Sequence, residues 1–299
     1  MRLTRLQRIS DLFAKYQLRN KEKKPLLTMV DDVEIAERVY NSNAIENSTL
    51  TLPETEKILL QLEISRHVSL REIFEAKNLA LVYGYIKKTA PIQPLTIEMI
   101  LLLHKMLLTS IREEIAGRFR QNREMVRVGN HIGLPPEFIT PRIQEILIKY
   151  NSKIEIPFIH RIAMFHTEFE SIHPFIDGNG RIGRVINNYL LTREGFSPII
   201  VRNKEKESYY KALRSYDDSN NYKPMIRVVE LASLESLHKR LAYLEGLEII
   251  SLAKYAENNQ SSFHSLLNSA RRQTIPAFRE KGVWKIGKDS SLQSGGGEI

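Results

Sequence analysis

FHTEFESIHPFIDGNGRIGRVINNYLL, residues 165–191, decides the fold. Ile162, Phe165, Phe169 and Ile172 recur at the three- and four-residue spacing of one helical face. Pro174 and the glycines at 178 and 180 break that pattern, and Ile182, Ile186, Tyr189 and Leu190 restart it. The reading is helix, loop, helix, with Gly178-Asn179-Gly180 at the N-terminus of the second helix. Free N–H groups and the positive end of the helix dipole meet there, which suits an anion, and glycine lets the backbone approach it closely. Arg181, Arg184 and Asn188 follow at i, i+3 and i+7, so they share one face opposite the apolar set, within reach of a polyphosphate. Asp177 offers a hard oxygen ligand for Mg²⁺ bridging phosphate oxygens. His173 is the residue type there that can take a hydroxyl proton near neutral pH.

Outward from this centre the chain reads as all-α, a helical bundle with small β insertions. Residues 117–135, GRFRQNREMVRVGNHIGLP, are one exception: Met125 to Val128, then Gly129-Asn130, then His131-Ile132 read as strand, turn and strand. Pro135 and Pro136 stop the hairpin, and Glu137 to Tyr150 resumes as helix. The C-terminus is the other exception. Ile249, Leu252, Ala253 and Ala256 make one helical face; Phe263, Leu266, Leu267 and Ala270 make a second. Thr274–Gly287 then reads as a hairpin turning at Lys281-Gly282. The expected divisions are N-terminal helices over 1–95, a core over 96–245, a small module over 246–289 and a Ser/Gly-rich disordered tail over 290–299.

Composition bounds the chemistry. With no cysteine among 299 residues, disulfides, thiol nucleophiles and cysteine-ligated metals are excluded. A net charge of +9 suits an anionic partner without choosing one. MRLTRLQRISDLFAKYQLRNKEKK has neither the apolar run nor the cleavage site of a signal peptide, and no stretch is apolar enough to span a bilayer, so a cytoplasmic protein without membrane contact is expected. Arg2, Arg5, Arg8 and Lys15 read as a solvated helical face.

Residues 173–184 satisfy every defined position of HPFx[D/E]GNGRxxR, the signature of the Fic family, and the chain resembles that family over about residues 30 to 240. The resemblance implies a Fic-fold helical bundle whose usual activity is protein adenylylation, with ATP as substrate and Mg²⁺ as cofactor. It makes His173 the base for a target Ser, Thr or Tyr hydroxyl and Asp177 the metal ligand. Gly178, Asn179 and Gly180 would hold the phosphates at their backbone, and Arg181 and Arg184 would bind the β- and γ-phosphates. The hairpin at 117–135 corresponds to the family's flap, with Met125, Val126 and Arg127 as candidate contacts to the target backbone. Tyr209-Tyr210 resembles the segment beside the adenine.

Ser42-Asn43-Ala44-Ile45-Glu46-Asn47 is similar to the family's inhibitory motif [ST]xxxE[GN], in the class with an N-terminal inhibitory helix. Ser42 and Glu46 stand one turn apart on one face, so the hydroxyl is expected to orient the carboxylate. Glu46 is expected to pair with Arg184 and block ATP. In some relatives the same glutamate assists removal of AMP. Family members that transfer UMP, phosphate or phosphocholine share this motif.

Three other readings compete. His166 and Glu170, four apart, could begin a metal site with His160, but lack the spacing of a third ligand. Gly282 to Lys288 looks like a phosphate loop, yet Asp289 replaces its Ser/Thr. Residues 275–287 resemble the wing of excisionase-type winged helices, so 249–289 is a candidate contact for DNA or protein, and a DNA-binding regulator with a nucleotide-sensing core is the alternative function. Target proteins bearing hydroxyl side chains are the expected partners, with a homodimer as a candidate assembly.

Overall fold

The computed structural model of the chain describes residues 3–128 and 131–288. Its contacts divide it into two units, Met1–Glu34 with Glu230–Ile299, and Ile35–Val229. Within the first unit, charge pairing ties the chain's beginning to its end: Arg5 bonds Glu230 at 2.6 Å, Arg19 meets Glu245 at 3.0 Å, and Arg240 bonds Asp31 at 2.6 Å and Glu34 at 2.8 Å. Arg5 and Arg8 thus hold partners, Arg8 on the Gln273 carbonyl, whereas Lys15 stays solvated. Arg2, the Gly129-Asn130 turn and the 290–299 tail fall outside the described residues.

That unit opens with α1 (Arg5–Asn20), started by a reciprocal Thr4/Gln7 cap, and the first part of α2 (Lys24–Ile45). In the second unit, α3 (Leu52–Leu59), α4 (Leu70–Thr89) and α5 (Ile97–Leu108) each begin at a hydroxyl cap: Thr51, Ser69 and Thr96 accept from the N–H of Glu54, Glu72 and Met99. A two-stranded hairpin, β1 (Arg127–Val128) and β2 (His131–Ile132), precedes α6 (Pro136–Ser152). Then come α7 (Phe158–Ile172), α8 (Asn179–Arg193) and α9 (Lys206–Ser219). The centre is α8, buried from Asn179 to Leu191 except at Gly180 and in contact with α7, α4 and α5. The amphipathic picture of α8 therefore needs correction: Arg181 and Arg184 are only 3% and 4% exposed. A helix wrapped on all sides must satisfy its polar side chains internally.

The chain returns through α10 (Lys223–Leu244) to β3 (Glu248–Ser251), α11 (Leu252–Asn258), α12 (Phe263–Arg271), β4 (Ala277–Glu280) and β5 (Val283–Lys288). The sheet order is β3-β5-β4, antiparallel throughout. Ile249, expected on a helix, lies in β3; four residues are too short for strand alternation to declare itself. The hairpin turns at Lys281 and Gly282, both at positive φ (50° and 78°), the requirement of a type I′ turn. Ile250, Leu252, Ala270, Ala277 and Ile286 form the small core under this sheet.

Candidate functional site

His173 ends α7 in a left-handed conformation (φ 52°, ψ 60°), its N–H donating to the Phe169 carbonyl. A non-glycine residue there is strained and persists only where its surroundings fix it. Arg120, 2% exposed, supplies that fixing: Nε donates to the His173 carbonyl at 2.9 Å, and its other nitrogens donate to the carbonyls of Glu124, Leu134 and Ile172. Asn179 staples the following loop, accepting from the Phe175 N–H and donating to the Phe175 carbonyl, each at 2.8 Å. Gly178 caps α8 at φ 84°. On the outer side His104 accepts from the Gly117 N–H at Nδ1, which leaves Nε2–H to donate to the Asp177 carbonyl at 3.0 Å. The imidazole also stacks on Phe175 at 3.6 Å between centroids.

The His173 ring reaches the Glu170 carbonyl through Nδ1 at 3.3 Å. A carbonyl only accepts, so Nδ1 carries the hydrogen and Nε2 is left as the basic nitrogen. Burial lowers this imidazole to about 4, with the Glu170 contact opposing. The base form of His173 therefore persists down to that pH. Burial likewise lowers His104 to about 4, His166 to about 3 and His238 to about 4. The unfolded chain takes up these protons near pH 6.5, while the folded chain refuses them until about pH 4. Hence the histidine contribution to stability is intact above pH 6.5 and declines as pH falls from 6.5 toward 4. A melting temperature that is higher at pH 4.5 than at pH 7 would contradict this.

Opposite His173 stands the Ser42–Glu46 segment. α2 ends at Ile45, Asn47 turns left-handed (φ 68°), and the Ser48 N–H closes on the Asn43 carbonyl, a helix-ending arrangement that favours Gly or Asn at that position. Arg184 donates to Glu46 Oε1 at 2.8 Å, as expected. Ser42 acts differently from expectation: its hydroxyl accepts from Arg184 Nε at 3.0 Å and its carbonyl from Nη2 at 2.8 Å, so it orients the arginine and not the carboxylate. Despite burial, the Glu46 charge holds the Arg184 guanidinium above its ordinary value. A side chain at position 180 would collide with Glu46 Oε1, so glycine is needed there for the latch as well as for an anion.

Asp177 is held between two arginines. Its Oδ2 accepts from Arg71 at 2.8 Å and its Oδ1 from Arg181 at 3.1 Å, while Glu75 bonds both arginines at 3.0 Å. Burial pushes the Asp177 carboxyl up, but Arg181 and Arg71 outweigh it and hold it below the usual range. A single carboxylate fits Mg²⁺ that arrives with a nucleotide, because Mg²⁺ takes one or two protein carboxylates plus phosphate oxygens and water. Among the described residues no cluster of three or more His, Asp or Glu could hold a metal by itself. The His166–Glu170 alternative dissolves, since His166 Nε2 is 2.7 Å from the Tyr209 hydroxyl. Burial, offset only in part by Arg184, pushes Glu170 up to about 8, so it is protonated at neutral pH.

Glu46, His173, Asp177, the Gly178–Gly180 backbone, Arg184, Tyr209 and Tyr210 line one cavity of about 1020 Å³, together with His131, Ile132, Leu213, Arg214, Asp217 and Asp218. Asn188 is engaged elsewhere: its amide exchanges two hydrogen bonds with the Ile199 backbone, so it holds α8 and not a nucleotide. Asn47 serves the turn and accepts from Lys206 at 2.7 Å. In the hairpin, Met125 is 53% exposed, Arg127 is exposed and Val126 is half-buried, its carbonyl accepting from Gly133. The hairpin base is joined to the His173 segment by the Arg120 N–H to the Pro174 carbonyl and the Leu134 N–H to the Ile172 carbonyl. Arg120, His104, Glu75 and Arg71 were not singled out by sequence reasoning; they act mainly on backbone or on residues far along the chain.

Residues 94–191 match the Fic/DOC family model. The chain is 31% identical over 259 residues to the protein adenylyltransferase Fic of Drosophila sechellia, covering 84% of this chain and 52% of that protein. It thus spans about half the length of the curated relatives it matches. A Fic domain-containing signaling protein from Bacteroides thetaiotaomicron superposes with a TM-score of 0.72 at 26% identity, covering 80% of this chain and 98% of that one. Fic-1 (residues 134–508) from C. elegans gives 0.69 at 26% identity, covering 79% and 70%. No described helix is long and apolar enough to cross a membrane. With the loop that carries His173 inside the matched stretch, residues 94–191 form a Fic/DOC family domain.

Proposed function

We propose that this chain is a protein adenylyltransferase that moves AMP from ATP to hydroxyl side chains of target proteins and is restrained by Glu46. The observation that carries the reading is a neutral His173 with a free Nε2 in the same cavity as the Glu46–Arg184 pair. Nε2 takes the proton of a Ser, Thr or Tyr hydroxyl as its oxygen bonds the α-phosphorus, and the bond to pyrophosphate breaks. The Gly178–Gly180 backbone and Arg184 offer N–H donors to the phosphates. Mg²⁺, held at Asp177, would supply charge neutralisation of those phosphates. Arg181 supports this through Asp177, to which it is bonded. Tyr209 and Tyr210 flank the base, and residues 125–127 meet the target backbone as an added strand would.

The test is transfer of label from α-labelled ATP to protein, with and without cell lysate, by wild type, Glu46→Gly and Glu46→Gly/His173→Ala. Labelling by Glu46→Gly alone supports the reading; label in the double variant would remove His173 as base. In Glu46→Gly the transfer rate should hold from pH 7 down to about 5 and fall only toward pH 4. An inflection near 6.5 would mean that the buried neutral imidazole is not the acting base. Removal of AMP by Glu46 is a second activity to be checked on a modified target, where Glu46→Ala should abolish it. The order helix, strand, two helices, two strands in 223–288 supports a winged-helix reading, with Arg271, Arg272 and Lys281 exposed for contact with DNA or a protein.

A further inference from the structure

Arg71 is the second residue of α4, in the turn where the helix dipole presents its positive end. A guanidinium is disfavoured there, so the helix itself does not explain its place. What explains it is the ring in which it stands: Arg71 to Asp177 Oδ2 at 2.8 Å, Arg71 to Glu75 at 3.0 Å, Glu75 to Arg181 at 3.0 Å, and Arg181 to Asp177 Oδ1 at 3.1 Å. Two cations and two anions leave this ring neutral. Its two arginines are unequal: the Arg181 side chain is 4% exposed and enclosed, whereas that of Arg71 is 54% exposed and free to leave toward solvent. Each carboxylate oxygen of Asp177 is thus occupied, one by a fixed cation and one by a removable cation.

We propose that Arg71 is a place-holder for the divalent metal: it occupies Oδ2 of Asp177 until the metal–nucleotide complex arrives, and metal binds by exchange with it. The proposal rests on Asp177 being the metal ligand. Arg71 is then a positioning residue with two effects. It keeps the carboxylate aimed into the cavity without metal, and it weakens metal binding, because every binding event must break an arginine–carboxylate pair. This guard is separate from the Glu46 latch: one occupies the anion ligand of the metal, the other the cation that meets phosphate.

Mn²⁺ binding measured by loss of the free-ion paramagnetic resonance signal tests this without any turnover. The full chain carrying Glu46→Gly is held in excess over an ATP analogue whose α–β bridge is methylene, so that all the nucleotide is protein-bound, and Mn²⁺ is titrated in. Adding Arg71→Ala should tighten Mn²⁺ roughly 3- to 10-fold, the range expected for losing one half-exposed competing pair. Arg71→Lys, a point charge without the fork, should fall between the two. Adding Asp177→Ala should weaken Mn²⁺ sharply. Unchanged or weaker binding in Arg71→Ala, with Asp177→Ala still weak, overturns the place-holder and leaves Asp177 as ligand. Undiminished binding in Asp177→Ala overturns the metal assignment and the proposal with it.

Discussion

Glu46→Gly is expected to raise AMP transfer by about 10- to 100-fold at a fixed, subsaturating ATP concentration, because it removes a charge-assisted bond to a buried arginine worth about 1.5–3 kcal/mol. The geometry makes this a clean substitution. Arg184 keeps its bonds to the Ser42 hydroxyl and carbonyl when Glu46 goes, so the guanidinium stays aimed while its inner nitrogens gain room for phosphate. Residue 46 lies past the last helical residue, so glycine there costs little helix. Glu46→Gln should lie between the two, since an amide still accepts from Arg184 but without charge. Equal rates for wild type and Glu46→Gly, with equal nucleotide affinity, would exclude the latch.

The second large effect is on stability. Arg120→Met should cost about 3–5 kcal/mol, the upper end for single substitutions, because it leaves the carbonyls of His173, Glu124 and Leu134 without their donor in a buried place and takes from the Ile172 carbonyl the second of its two donors. Methionine keeps the volume, so the loss isolates hydrogen bonding from packing. The urea midpoint reads it directly, and a loss under about 1 kcal/mol would mean that water replaces the guanidinium. The loss also falls on the left-handed turn at His173, so whatever folded protein survives should transfer AMP poorly.

Much of the site was legible in residues 173–184 because local spacing and chemistry coincide there. Helix period, two glycines and a histidine identify the loop without tertiary information, and the latch glutamate was expected from the resemblance of the six residues Ser42–Asn47 to the family's inhibitory motif. Long-range pairings were not legible. Arg120 looks like one basic residue in a polar hairpin, and its role appears only when four carbonyls converge on it. His104 looks like a lone histidine in the apolar helix Ile97–Leu108, and its bond to Asp177 crosses 73 residues. Periodicity puts Arg181, Arg184 and Asn188 on one face, but it does not say how deeply a helix is buried. Enclosed on all sides, α8 gives Arg181 to carboxylates and Asn188 to backbone. The ion pairs that join the first 34 residues to the last 70 likewise leave no trace in local composition.

The latch is a single carboxylate oxygen placed just past the C-terminus of a helix, the end that repels negative charge. A restraint of about 1.5–3 kcal/mol closes an equilibrium without sealing it, so roughly one molecule in ten to one in a hundred stands open at any moment. Restrained protein then has a leak proportional to its amount. On the proposed activity, abundance becomes a control variable in its own right: doubling the copies of the wild-type chain would double the background modification of its targets, and the off state would mean off only where the chain is scarce or its product short-lived.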